Sequence, residues 1–169
     1  NLSELRKLCD KHNLFLVEDC AESLGANIDG IHCGREGHIS TYSFFGNKTI
    51  TTGEGGAIYT EIDSIYDRAL SIKSQGLAKH REYWHDIIGY NFRMTNVSAA
   101  IGCAQMERID EILSKKRTID STYRSLLTSD LCSFQNLHIG MSTSAWMTAL
   151  LVESERKRDA IRSKLYDCG

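Results

Sequence analysis

The chain has 169 residues, 41% of them hydrophobic and 25% charged, with 20 Lys and Arg set against 22 Asp and Glu for a formal net charge of -2. This balance gives no basic footprint for nucleic acid, and no apolar run reaches the length of a membrane span. The length can bury one sizeable core, and the first apolar run, LFLV at 14–17, leads into acids rather than the small-residue cleavage site of a signal peptide.

In chain order, Ser3 is expected to cap a first helix with Leu2, Leu5, Leu8 and Cys9 on one face, ended by His12-Asn13. LFLVED at 14–19 then reads as a short strand covered on both faces, with Glu18 and Asp19 emerging at its carboxyl end. Residues 25–38, with four glycines, read as a loop or short hairpin. STYSFF at 40–45 and GAIYT at 56–60 are two further strands, and a helix follows over 63–74.

The stretch SQGLAKHREYWHDIIGYNFRMTN at 74–96 is too long and irregular for a simple connector, which favours a functional loop. Thr95 or Asn96 caps the next helix, whose apolar stripe from Val97 to Leu126 predicts one unbroken spine. AWMTALLV at 145–152 predicts a strand, and Glu153 to Asp167 a last helix. The basic clusters SKKR at 114–117 and ERKR at 155–158 fall in helical patterns beside acids, which fits solvated faces.

Six cysteines without C-x-x-C spacing, mostly among apolar neighbours, indicate buried thiols in a reduced, cytoplasmic protein, with neither a zinc site nor a disulfide framework. There is no proline where ordinary usage predicts roughly eight. The chain also opens inside a helical pattern and closes where one ends, so it is expected to be an internal portion of something longer.

Alternating strands and helices imply an α/β architecture, and open parallel sheets bind ligands beyond the carboxyl ends of their strands. Asp19 lies at one such end and Lys48 just beyond another, so both belong on one rim. A lysine and a carboxylate placed together suit pyridoxal 5'-phosphate, which is held by a lysine as a Schiff base and needs a carboxylate against its ring nitrogen. A nucleophilic amine requires burial or a nearby cation. Glycines 53, 55 and 56 would let backbone approach such a site. On the residues alone Lys48 can equally be a surface lysine and GEGG an ordinary loop. No G-x-G-x-x-G or P-loop pattern accompanies them.

Three blocks in order narrow the reading: VEDCAESLGA (17–26), STYSFFGNKTITTGEGGAIYT (40–60) and GYNFRMTNVSAAIGCAQMERID (89–110). Together they resemble the DegT/DnrJ/EryC1/StrS sugar aminotransferases, a branch of the fold-type I pyridoxal-phosphate enzymes, over most of the chain. The resemblance implies the central part of an α/β large domain, its mostly parallel sheet flanked by helices, over residues 1–95. A long connecting helix over 96–127 and the start of a small α/β domain over 128–169 would follow.

It also implies site residues. Lys48 would bond the cofactor and shuttle the proton, Asp19 would pair with the ring nitrogen, and Glu22 would lie near the ring oxygen. Ser43 would hydrogen-bond the phosphate, and Asn91 would reach the phosphate of a neighbouring subunit, making a homodimer with shared active sites. For Ser43 a locally bonded strand hydroxyl, and for Asn91 a turn residue, remain open.

Within the family, QGLAKHREYWHDIIGYNFRMTN (75–96) is most similar to the GDP-perosamine synthase group. That implies a nucleotide-linked 4-keto-6-deoxyhexose and L-glutamate as substrates, in amino-sugar synthesis for O-antigen and lipopolysaccharide. His80, Arg81, Trp84 and His85 would face the sugar nucleotide, the cationic groups on its diphosphate and Trp84 on a ring, though loop packing explains each as well. His38 departs from the aspartate common in the family. The sugar dehydratases of the family carry histidine at the position of Lys48, which argues against that activity. A truncated or non-catalytic paralogue acting as a binding or regulatory subunit is the rival of another class.

Overall fold

The computed structural model describes residues 1–127 and 130–169. Helix α1 (Leu2–Lys11) is capped not by Ser3 but by Asn1, whose side chain accepts from the Glu4 amide. The Ser3 hydroxyl instead donates to Glu36 at 3.0 Å. Asn13, at φ 54°, turns the chain out of the helix.

Strand β1 (Val17–Asp19) is shorter than the apolar run predicts, and Leu14 and Phe15 are exposed. The ladder fails before Val17 because the Leu14 amide bonds back to Cys9 and the Leu16 amide donates to His38 Nδ1 at 2.9 Å. Strand period two then separates the two acids. Asp19 emerges as expected, whereas Glu18 points inward and is buried. Its carboxylate accepts from the amides of Gly34, at 2.8 Å, and Gly37.

A hairpin follows, β2 (Asn27–Ile28) and β3 (Ile31–His32), joined by Asp29-Gly30 with φ of 51° and 81°. Positive φ at both turn residues is what a tight two-residue hairpin requires. Strands β4 (Ile39–Ser43) and β5 (Gly56–Tyr59) complete a sheet of order β1-β4-β5. β1 and β4 run parallel with Asp19 opposite Thr41, and β4 and β5 are antiparallel, so the sheet is mixed. The architecture is α/β, with helix α2 (Asp63–Lys73) after β5.

The predicted spine is two helices, α3 (Asn96–Met106), capped by Thr95 Oγ1 accepting from the Ser98 amide, and α4 (Ile109–Leu126). The break coincides with a contact distant in sequence. The Gln105 side chain leaves the helix surface to bond both the amide and the carbonyl of Thr51. The Arg108 amide then takes a short bond to Gln105 O, and Arg108 itself, at φ −112° and ψ 16°, is not helical. α4 restarts with Asp110 and Glu111 in its first turn, where acids suit the helix dipole.

Beyond α4 come β6 (Ser133–Phe134), β7 (Met141–Ser142), β8 (Leu150–Leu151) and α5 (Glu155–Cys168). Only Leu150–Leu151 of the predicted 145–152 strand is a strand. Ala145, at φ 48°, takes the backbone out of the pleat. β7 pairs with β2, so the C-terminal segment is hydrogen-bonded to the first hairpin. α4 reinforces this through Arg117, which donates to the carbonyls of Thr143 and Gly25, both at 3.0 Å. Of the basic clusters, Lys115, Lys157 and Arg158 pair with Glu111, Glu153, Glu155 and Asp159, as solvated faces do, whereas Arg117 of the first cluster turns inward to those two carbonyls. All six cysteines are free; Cys9, Cys20 and Cys132 are buried, whereas Cys103 and Cys168 are exposed. Among the described residues no helix is long and apolar enough to cross a membrane, and no cluster of His, Cys, Asp and Glu could hold a metal ion.

Candidate active site

Lys48 closes a turn. Its amide donates to Phe45 O at 3.0 Å, and Gly46 lies at the tip with open space around it. The following residues are a plug rather than a mobile loop: Thr49, Ile50 and Thr52 are buried. Thr51 is held from both sides by Gln105, and Thr52 bonds its amide to Phe44 O. The lysine therefore stands on a fixed platform past the carboxyl end of β4. Asp19 ends the adjacent parallel strand, which puts both residues on the rim that the topology predicts.

The Lys48 side chain is only 14% exposed, which removes the surface-lysine reading. Its Nζ lies 3.4 Å from Glu22 Oε1 and 4.4 Å from the centroid of the Trp146 ring. A carboxylate and an indole face both attract an ammonium. Trp146 is fixed in turn, donating Nε1–H to Asn47 O at 2.8 Å, and Ser144 Oγ donates to Glu22 O at 2.8 Å. Neither Ser144 nor Trp146 stood out in the sequence, because their partners lie about a hundred positions away and no local pattern marks them.

The other candidate residues divide. Asp19 Oδ1 accepts from the Ala21 amide, and Ser43 Oγ accepts from the Phe45 amide, which leaves the hydroxyl proton free to donate. Glycines 55 and 56 approach this chain's own atoms. A Cβ at Gly56 would sit 2.4 Å from Tyr42 O and one at Gly55 2.8 Å from the Met94 methyl, whereas Gly53 has open space.

Asn91 is not among the contacts of Lys48. It is exposed, bridges to Ser74 and lines a cleft of about 840 Å³ with Lys73, Arg93 and Thr95. His80, Arg81, Trp84 and His85 are exposed on an excursion pinned at its base by the Ser74–Asn91 and Leu77–His85 bridges. There Arg81 stacks on Trp84 at 4.4 Å, His80 Nδ1 lies 3.6 Å from Asp86, and His85 Nδ1 meets Gln75 O at 2.7 Å.

Burial pushes the thiols of Cys20 and Cys33 and the phenol of Tyr42 above their ordinary values. His38 is held by this chain's own atoms. It accepts from the Leu16 amide, sets Nε2 3.4 Å from Asp10, and meets Phe15 edge to face at 5.1 Å.

The sequence profile of the DegT/DnrJ/EryC1/StrS aminotransferase family matches residues 1–169. The chain belongs to this family. Two similar members are the GDP-perosamine synthase of Escherichia coli O157:H7, 46% identical over 167 residues, and that of Vibrio cholerae, 46% identical over 155. The alignments cover 99% and 92% of this chain but only 46% and 42% of those proteins, so the chain spans less than half the length of either. Among solved structures, the aminotransferase TlmJ from Streptoalloteichus hindustanus superposes with a TM-score of 0.91 at 29% identity, over 99% of this chain and 46% of that one.

Pyridoxal 5'-phosphate is the cofactor of the DegT/DnrJ/EryC1/StrS family, and the donor set suits it. A nearly covered primary amine, a carboxylate at the end of the adjacent strand and a hydroxyl with its proton to give provide for an aldehyde carbon, a protonated ring nitrogen and a phosphate.

Proposed function

We propose that the full-length protein is a pyridoxal-phosphate-dependent aminotransferase. It would move the amino group of L-glutamate to C4 of a nucleotide-linked 4-keto-6-deoxyhexose, as a GDP-perosamine synthase-like enzyme of O-antigen and lipopolysaccharide synthesis. The observation that carries this reading is the covered amine of Lys48 on a rigid turn beside Glu22, on the rim shared with Asp19. The 46% identity to GDP-perosamine synthases supports the sugar.

When bound, the cofactor supplies an electron sink for negative charge at the substrate carbon. The chain's own residues do the rest. Lys48 Nζ would hold the cofactor and, when free, would take a proton from one carbon and give it to the next. Glu22, 3.4 Å away, would receive Nζ as an ammonium between these transfers. Asp19 would face the ring nitrogen, and Ser43 would donate its hydroxyl to the phosphate. Asn91, exposed and not among Lys48's contacts, would serve the phosphate of a neighbouring copy in a homodimer with shared sites. His80, Arg81, Trp84 and His85 meet the sugar nucleotide, cations on the diphosphate and Trp84 against a ring. Residues 1–95 form part of the cofactor domain, 96–127 the helical connection and 128–169 the start of a small domain. Six free thiols fit a cytoplasmic location.

The test is a visible spectrum of the full-length protein with pyridoxal phosphate, followed by borohydride reduction and peptide mapping. A band that L-glutamate bleaches, and that reduction fixes onto Lys48, is expected. No band, or a label spread over surface lysines, sinks the catalytic reading and leaves a non-catalytic binding subunit. A panel of GDP-, UDP- and dTDP-linked keto sugars then identifies the acceptor.

A further inference from the structure

The segment 143–146 touches the Lys48 site at two points that no local motif announces. Its backbone is held in place by two hydrogen bonds and a reversal. Thr143 O accepts from Arg117 Nε at 3.0 Å, the Ala145 amide donates to Thr143 Oγ1 at 3.0 Å, and Ala145, buried at φ 48°, reverses the chain. From this base Ser144 Oγ reaches Glu22 O, and Trp146 Nε1–H reaches Asn47 O, the residue before the lysine.

The two partners of the Lys48 amine are thus anchored by one short segment. Glu22 is fixed by its backbone, while Trp146 is fixed at its pyrrole N–H with its π face 4.4 Å from Nζ. An indole pinned by its N–H cannot slide away from the turn without breaking that bond. A lysine bounded by this ring and by Glu22 has one preferred resting place rather than the many rotamers of a free side chain.

We propose that Trp146 is a positioning residue for Lys48. It parks the amine as an ammonium against Glu22 and limits the directions in which it can leave, acting on the substrate only through Lys48. This rests on Lys48 being the cofactor lysine, but the contact can be tested separately.

The experiment uses the full-length protein free of cofactor, with its lysines reductively methylated with [13C]formaldehyde and examined by NMR. The Lys48 methyl signal is assigned by its absence in Lys48→Arg. It is expected upfield of the other lysines, shifted by the indole ring current, with the shift abolished in Trp146→Leu and partly kept in Trp146→Phe. Separately, the rate at which pyridoxal phosphate forms a borohydride-reducible band should change about two- to fivefold in Trp146→Leu, the size of a partly exposed cation–π contact. Trp146→Phe, which keeps a ring face but not the bond to Asn47, should restore it only in part. A Lys48 signal lying among those of the surface lysines in the unsubstituted protein overturns the proposal, and that measurement needs no variant to fold. An upfield signal with an unchanged loading rate in Trp146→Leu overturns the positioning role. Absence of any band at Lys48 in the unsubstituted protein defeats the aminotransferase reading instead, and the methyl signal still decides the contact.

Discussion

Replacing Glu18 by Gln exchanges one carboxylate oxygen for an NH2 group at the base of the rim and changes little of its shape. In the native protein each carboxylate oxygen accepts one backbone amide, from Gly34 and from Gly37, and the residue is 7% exposed. Gln keeps one acceptor and turns an NH2 donor toward the other amide. The change forfeits one charge-assisted hydrogen bond, about 1.5–3 kcal/mol, and leaves a buried N–H unpaired at a further ~1–3 kcal/mol, part of which relaxation recovers. A local loss of about 2–4 kcal/mol corresponds to roughly 30- to 1000-fold less protection from exchange.

Hydrogen exchange of the peptide covering residues 33–38 reads this directly. Glu18→Gln should lose protection there, and Glu18→Ala, which removes both acceptors, should lose more. If Glu18→Gln exchanges within twofold of the native protein at both amides, the carboxylate is not what holds this loop and the reasoning fails.

Gly76→Ala places a Cβ 2.0 Å from Ile87 O at φ 69°, so the 77–90 excursion should loosen by about 1–3 kcal/mol and be cut faster in limited proteolysis. Gln105→Leu removes both bonds to Thr51, each worth about 0.5–1.5 kcal/mol. Faster exchange at the Thr51 amide and weaker cofactor retention are expected, and unchanged exchange would show that the loop is held elsewhere. Cys20 should resist alkylation until the protein is denatured. Its burial-raised value means the neutral-thiol contribution to stability is intact below the ordinary value of 9.0 and is lost as pH rises through the raised one, so protection should decline only above pH 9.0. Labelling of native Cys20 at pH 7 would contradict that.

The rim was legible because its determinants are local. An apolar run ending in acids and a Gly-Asn turn after aromatics fix strand ends from their own neighbours, and strand ends fix Asp19 and Lys48. Burial was harder to read. Leu14 and Phe15 look like core residues but are exposed, whereas Glu18, which looks like a surface acid, is buried, because two amides 16 and 19 positions onward satisfy its charge. The break between α3 and α4 was hidden for the same reason. The stripe from Val97 to Leu126 is continuous, and only Thr51, 54 positions upstream of Gln105, shows why the helix stops. Trp146 was read correctly as apolar but placed in the wrong element, since its partner Asn47 is 99 positions distant.

The pairing of β7 with β2, together with the bond from Trp146 to Asn47, sets an order of events during synthesis. A ribosome releases the turn carrying Lys48 about a hundred residues before the indole that covers it, an interval of roughly 5–20 s at ordinary elongation rates. Over that interval the amine is uncovered on a nascent chain whose Glu22 loop lacks the Ser144 and Arg117 anchors. Closure of the long loop, slow because its contacts are distant in sequence, is therefore the step at which the Lys48 side chain becomes covered.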